Sequence, residues 1–169
     1  MEPTAVTWAV LGLLGMKPMS GYDIKRAVDR TIRHFWAASY GQIYPELRRL
    51  EEAGLIEGED DPTGGRKRRA YSLTAAGDAA LDEWLRSDAE PIYEVRDEAM
   101  LKLFFSDDLT KAERLRIVRQ MRNRHQAVVD RLRSTEEVAQ GAPLTTLQYG
   151  LGLHSWILDW CRKQEAELE

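Results

Sequence analysis

Residues able to cap a helix recur along this chain in an order that leaves few folds open. In Ser20-x-x-Asp23, Ser39-x-x-Gln42 and Thr110-x-x-Glu113 a hydroxyl can accept the orphan N–H three residues on, and the later side chain can bond back. Thr74 is a fourth N-cap without an acidic partner, and Pro143 suits the first turn of a last helix. Gly54 stands where the helix begun at Ser39 must stop. With the apolar spacing added, helices are predicted over about 3–15, 20–33, 39–53, 74–88, 95–105, 110–138 and 143–168. Short strands are predicted over 55–57 and 69–73. The segment 58–68, with Pro62, Gly64 and Gly65, joins them as a long hairpin. The chain is therefore mainly α and falls into two modules: 1–75, three helices plus a hairpin, and 76–169, all helical.

Composition narrows the class. A chain of 169 residues that is 43% hydrophobic can bury a core, so disorder is excluded. No run approaches the ~18–20 apolar residues that span a bilayer. The start, Met1-Glu2-Pro3-Thr4, lacks the basic n-region of a signal peptide. Cys161 is the single cysteine, which excludes an intrachain disulfide and a multi-cysteine zinc site. A cytoplasmic protein with no membrane contact is expected.

The 39–53 helix separates by face. At about 100° per residue, Ile43, Leu47 and Leu50 share one side and should pack inward. Gly41, Pro45, Arg48 and Glu52 lie opposite, flanked by Tyr44 and Arg49. Gly41 and Pro45 are small enough to let the backbone near a groove. Pro45 lacks an N–H and would crowd the carbonyl of Gly41, so the first turn should be bent or loosened. The hairpin tip carries Arg66-Lys67-Arg68-Arg69 beside Gly64-Gly65. Alone, such a tetrad reads as solvated loop charge. A helix-turn-helix followed by a basic hairpin is more specific, and together they describe a winged helix.

Taken alone, the net charge of −4 argues mildly against nucleic-acid binding. It is an average over unlike parts. Residues 17–49 are net +4 and the tetrad adds +4, whereas 50–65 are net −6. Positive charge sits in the segments that would face DNA.

Three stretches carry a family resemblance: Pro18-Met19-Ser20-Gly21-Tyr22-Asp23-Ile24, Gly41-Gln42-Ile43-Tyr44-Pro45-Glu46-Leu47-Arg48-Arg49-Leu50-Glu51-Glu52-Ala53-Gly54-Leu55-Ile56, and Arg69 through Gly77. They closely resemble the PadR family of bacterial transcriptional regulators. Arg96 through Phe105 and Gly150 through Trp160 resemble, more loosely, the virulence-activator-type helical domain of its longer members. The resemblance implies a homodimer that binds an inverted-repeat operator on double-stranded DNA, most often as a repressor of a nearby operon, sometimes released by a small aromatic ligand. By position it implies Tyr22 and Lys25 near phosphates, Ser39, Tyr40, Gln42 and Tyr44 on the recognition helix with Arg48, and Arg66, Lys67 and Arg68 at the wing. The wing's acidic base (Glu57, Glu59, Asp60, Asp61) departs from a simple minor-groove finger.

The last helix is apolar on two opposed faces. Leu144, Leu147, Leu151 and Leu158 form one stripe; Tyr149, Leu153, Trp156 and Trp160 form the other. One face can be covered within the subunit and the other by a second copy or a ligand. Leu81 and Trp84 on the 74–88 helix are read as linking this dimerisation domain to the reading head. In the 110–138 helix the seam Leu115, Val118, Arg122, His125, Val129, Leu132 has two polar breaks, which argues against a long coiled coil. Its arginines read as a solvated face. Trp36, Tyr93, Phe104, Trp156 and Trp160 are candidates to line a pocket for a hydrophobic or aromatic effector, with core packing as the plainer reading. His154 and Cys161 share a face, but two ligands are too few for zinc, so no metal is expected. Gly150-Leu151-Gly152 sits inside a helical pattern and is no nucleotide loop. No catalytic triad spacing occurs, so neither an enzyme nor a cofactor is expected. The competing reading is a winged helix that docks proteins rather than DNA.

Overall fold

The computed structural model describes residues 3–33, 35–36, 40–61, 68–91, 93 and 95–169, without the side chains of Tyr40, Asp61 and Arg68. The order of elements is α1 (Ala5–Met16), β1 (Met19–Ser20), α2 (Gly21–Arg30), a 3-10 turn (Tyr40–Gln42), α3 (Ile43–Glu52), β2 (Ile56–Asp61), β3 (Arg68–Leu73), α4 (Ala75–Leu85), α5 (Glu98–Phe104), α6 (Lys111–Glu136) and α7 (Ala142–Leu168). The chain divides into two units, Met1–Glu90 and Pro91–Glu169.

Capping chemistry sets the starts. The Ser20 hydroxyl accepts from the Asp23 N–H, and the Asp23 carboxylate accepts in return from the Ser20 N–H. Thr110 and Glu113 form the same box at α6, and Thr74 caps α4 by accepting from the Gly77 N–H. A further box, Thr4 with Thr7, opens α1. Helix α3 starts later than the spacing suggests. The 3-10 turn Tyr40–Gln42 precedes it, and Pro45 falls in its first turn, where a missing N–H costs no helical bond. Ser39 lies outside the described residues, and Gln42 makes no side-chain cap bond. Gly54 ends α3 at φ 70°, the left-handed position that glycine takes without strain.

The first unit closes around one core. Leu11, Ile24, Ile43, Leu47, Leu50 and Ile56 are almost wholly excluded from solvent, and Leu55, Tyr71, Leu73 and Leu81 pack on them. Its sheet has three strands, ordered β1-β3-β2, all antiparallel. Two-residue β1 escaped the sequence reading; only its partners, Tyr71 and Ala70, define it. The division after Glu90 keeps α4 in this unit, whereas the sequence spacing sets the boundary after residue 75. The Trp84 ring stacks on Trp8 of α1 at 5.0 Å, and Leu81 joins the core. These two residues, read as part of a dimerisation link, are engaged in packing α4 onto α1.

The second unit is built on an antiparallel hairpin of α6 and α7, with α5 packed on α6. Its seam runs through Val118, Met121, His125, Val129 and Leu132 on α6 and Leu147, Gly150, His154, Leu158 and Cys161 on α7. The steps of three and four are those of two helices packed side by side. Met121 stands in the seam where the sequence reading placed Arg122, which turns outward to Glu165. The other polar break is compensated: Nδ1 of His125 and Nδ1 of His154 lie 2.7 Å apart, one donating and one accepting. Burial, first, and then Arg124 hold the His125 imidazole below its ordinary range, while Asp97 pulls weakly the other way.

Candidate nucleic-acid interface

Helix α3 presents the two faces its sequence prescribes. Ile43, Leu47 and Leu50 are 2%, 1% and 0% exposed, while Gly41, Gln42, Tyr44, Pro45, Arg48 and Glu52 face solvent. Tyr22 is exposed in the first turn of α2, and Arg26 lies over its ring. Lys25 is half-buried one turn along. The Tyr44 ring is held close to the start of α2: a Cβ on Gly21 would come within 2.6 Å of its Cε1, so this approach requires glycine. The structure thus gathers Tyr22, Tyr44 and Gly21 at the junction of α2 and α3. Arg48 stands one turn beyond Tyr44 on the same exposed side, and no hydrogen bond or ion pair engages it among the described residues.

Arg49 behaves differently from its neighbour. Its Nε donates to Oε2 of Glu46 at 2.9 Å and its Nη2 to Oε1 at 2.6 Å. This hydrogen bonding and the carboxylate's charge raise the guanidinium pKa above its ordinary value. Glu46 itself is only 7% exposed, and its Oε1 also accepts from the buried Thr7 hydroxyl of α1 at 2.5 Å. The sequence reading placed Arg49 on the flank of the exposed face and gave Glu46 and Thr7 no role. The i,i+3 spacing of Glu46 and Arg49 was the visible signal.

The wing is a β2–β3 hairpin in register from Ile56↔Leu73 to Asp61↔Arg68. That register explains how so acidic a strand as Ile-Glu-Gly-Glu-Asp-Asp can form. Asp60 pairs across the ladder with Arg69, and opposite charges in such positions stabilise a sheet; Asp61 stands opposite Arg68 in the same register. The Arg69 guanidinium also donates to Glu51 of α3 and lies over the Tyr71 ring. Its closeness to Glu51 raises its pKa. Of the basic tetrad, then, Arg69 ties the wing to α3. Arg66 and Lys67 lie outside the described residues, as does Ser39; Tyr40 and Arg68 are described by backbone alone.

The aromatic candidates for a pocket do not come together as a set. A cavity of about 1020 Å³ in the second unit is lined by Leu101, Leu103, Phe104, Val118, Trp160 and Leu168, with Arg114 and Asp97 among its polar walls. Phe104 and Trp160 are thus brought together. Trp36 packs on the core of the first unit, and Tyr93 and Trp156 are exposed and line no part of the cavity. On α7 the leucine stripe is turned to the hairpin seam: Leu147 and Leu158 are buried, Leu144 and Leu151 half-buried. The other stripe splits, with Tyr149 and Trp156 exposed, Leu153 half-buried, and Trp160 packed beside Val118 and Met121. Cys161 is wholly buried, which pushes its thiol pKa up and suppresses the reactive thiolate. Among the described residues no group of three metal-ligating side chains occurs, and no helix is long and apolar enough to cross a membrane.

Comparison with known proteins gives this geometry a context. Residues 10–83 match the family model of the transcriptional regulator PadR-like family, and residues 95–169 match that of the virulence activator alpha C-terminal region. The chain is 34% identical over 142 residues to the negative transcriptional regulator PadR of Bacillus subtilis, covering 82% of this chain and 78% of that protein. It resembles the crystal structure of Bacillus subtilis PadR in complex with operator DNA with a TM-score of 0.83 at 26% identity, over 98% of this chain and 100% of that one. The same regulator in complex with p-coumaric acid matches with a TM-score of 0.74 at 27% identity, over 98% and 99% of the two chains.

Proposed function

Since this chain belongs to the transcriptional regulator PadR-like family, we propose that it is a homodimeric repressor of a nearby operon, reading an inverted-repeat operator and released by a small hydrophobic or aromatic compound. The observation that carries this reading is the exposed face of α3. Gly41, Tyr44, Pro45 and Arg48 form a slim, cationic surface with Tyr22 at one side. A recognition helix of that profile can enter a major groove, with the wing beside it on the backbone. The operator-bound structure of the Bacillus subtilis relative supports the assignment.

Two-fold symmetry follows from the need for two half-sites about one helical turn apart. Tyr149 and Trp156 on the uncovered side of α7, with Leu101, Phe104 and Phe105 at α5, offer apolar surface for a second copy. Leu147 and Leu158 are engaged within the chain, so Tyr149, Leu153 and Trp156 carry the dimer assignment on α7. The p-coumaric acid complex of the relative supports an aromatic effector, and the Trp160-lined cavity has room for one.

Selection of duplexes from a random-sequence pool, followed by anisotropy titration at several salt concentrations, tests the reading. A palindromic consensus bound by two protomers, with affinity falling steeply in salt, is expected. Failure to enrich any sequence would refute it and favour a protein-docking winged helix. Quenching of tryptophan fluorescence by a panel of phenolic acids, with loss of the DNA complex, tests the effector; a flat response would remove that part of the proposal.

A further inference from the structure

We propose that Thr7, Glu46 and Arg49 are positioning residues for operator recognition, a buried polar latch that fixes the roll of α3 against α1. This inference rests on the DNA-reading role proposed for α3. The Thr7 hydroxyl is the node. It is wholly buried, donates to Oε1 of Glu46 at 2.5 Å, and accepts from Nη2 of Arg49 at 2.9 Å and from the Thr4 N–H at 2.8 Å. Its one proton and both lone pairs are therefore used. Glu46 closes the triangle through its two contacts to Arg49.

The latch supplies what the apolar face cannot. Ile43, Leu47 and Leu50 hold α3 against the core, but burial of apolar area is non-directional. Hydrogen bonds weaken steeply off axis, so three groups on two helices fix an angle. A helix with its side chains has a radius of about 5–6 Å, so a roll of about 10° moves a side-chain tip by roughly 1 Å. That displacement takes Tyr44 or Gln42 out of the window for a base-edge bond. It matters little for a phosphate, which a flexible side chain can follow. Thr7, Glu46 and Arg49 need touch no DNA; they set where their neighbours on the exposed face point.

The test compares full-length protein carrying Thr7→Val, Thr7→Ser or Arg49→Lys with wild type. The probes are the duplex that wild type selects from a random pool and a scrambled duplex of equal length. Thr7→Val keeps the shape of the side chain and removes the node. We expect its affinity for the selected duplex to fall about tenfold, the size of one lost base contact. Affinity for scrambled DNA and the slope against salt should stay as in wild type. Thr7→Ser should restore discrimination, and Arg49→Lys, which keeps the charge but loses the fork, should reproduce the loss. Undiminished discrimination in Thr7→Val would overturn the latch, as would an equal fall on both duplexes. Loss of the cooperative melt in both Thr7→Val and Arg49→Lys would assign the network to the fold alone and overturn it too. Wild type selecting no duplex would instead refute the DNA-reading role itself, and the latch with it.

Discussion

Two consecutive arginines on α3 should fail in different ways. Arg48 is exposed and engaged by no described partner, whereas Arg49 is two-thirds buried against a carboxylate that is almost wholly so. Arg48→Ala should leave the melting curve within about 0.5 kcal/mol of wild type, as exposed substitutions do. It should remove one phosphate contact per protomer, and each contact contributes about 0.9 to the slope of log affinity against log salt. A dimer on both half-sites then loses about 1.8 from the slope. Between 50 and 200 mM salt the variant's disadvantage should therefore shrink roughly 12-fold. Arg49→Ala instead leaves Glu46 buried with only the Thr7 hydroxyl for compensation. Breaking a fully buried pair costs about 3–5 kcal/mol, and partial exposure of Arg49 reduces that to about 2–3 kcal/mol. In a unit of this size such a loss lowers the melting temperature by roughly 10–20 °C. Anisotropy titrations over a salt series, with thermal melts, separate the two. Equal slopes for Arg48→Ala and wild type, or equal slope losses in the two variants, would refute the division of labour.

Other consequences follow from the same geometry. Because burial lowers the His125 pKa, the unfolded chain binds a proton that the folded chain resists; stability should be full above about pH 6.5 and decline as pH falls below it. His125→Leu/His154→Leu should flatten that acid limb in urea melts without a large loss at neutral pH, since both partners of the pair are removed together. Gly77→Ala would place a Cβ 1.9 Å from the Leu55 carbonyl oxygen, a backbone clash at the seat of α4, and should cost about 1–3 kcal/mol in a thermal melt. Trp156→Glu, on the uncovered face of α7, should yield a folded monomer by light scattering; a persistent dimer would move the interface elsewhere.

What the sequence disclosed was local. The boxes at Ser20 and Thr110, the cap at Thr74 and the stop at Gly54 need only three or four neighbouring residues, and all lie where the spacing puts them. The apolar face of α3 is equally local. Long-range features were not legible. Glu46 sits about 60° from Ile43 around the helix, at the margin of the apolar face, and only Thr7, 39 residues away, decides that its carboxylate is buried. The same holds for Trp84, whose stacking on Trp8 packs α4 onto α1. His125 looked like a break in a seam because its partner, His154, lies 29 residues on. The wing's acidic strand looked like a departure from a DNA-binding finger until its register placed Asp60 opposite Arg69.

These pairings change how the chain's charge should be counted. A net +8 over residues 17–49 and 66–69, set against −4 for the whole chain, suggests a strongly attractive reading face. Yet Arg49 is bound to Glu46 and Arg69 to Glu51, and Asp60 stands beside the latter. An arginine engaged in that way releases no counterion when DNA arrives, so it adds geometry rather than attraction. Glu46 with Arg49 orients the helix, and Glu51 with Arg69 fastens the wing to it. The affinity that grows with every unpaired cation is indifferent to sequence, whereas base readout depends on the placement these pairs provide. If α3 and the wing read DNA as proposed, converting two arginines from attraction to placement should lower non-specific binding while keeping what distinguishes one operator from another. On the same reading, the acidic remainder of the chain should work in that direction too, repelling DNA wherever the reading face is not engaged.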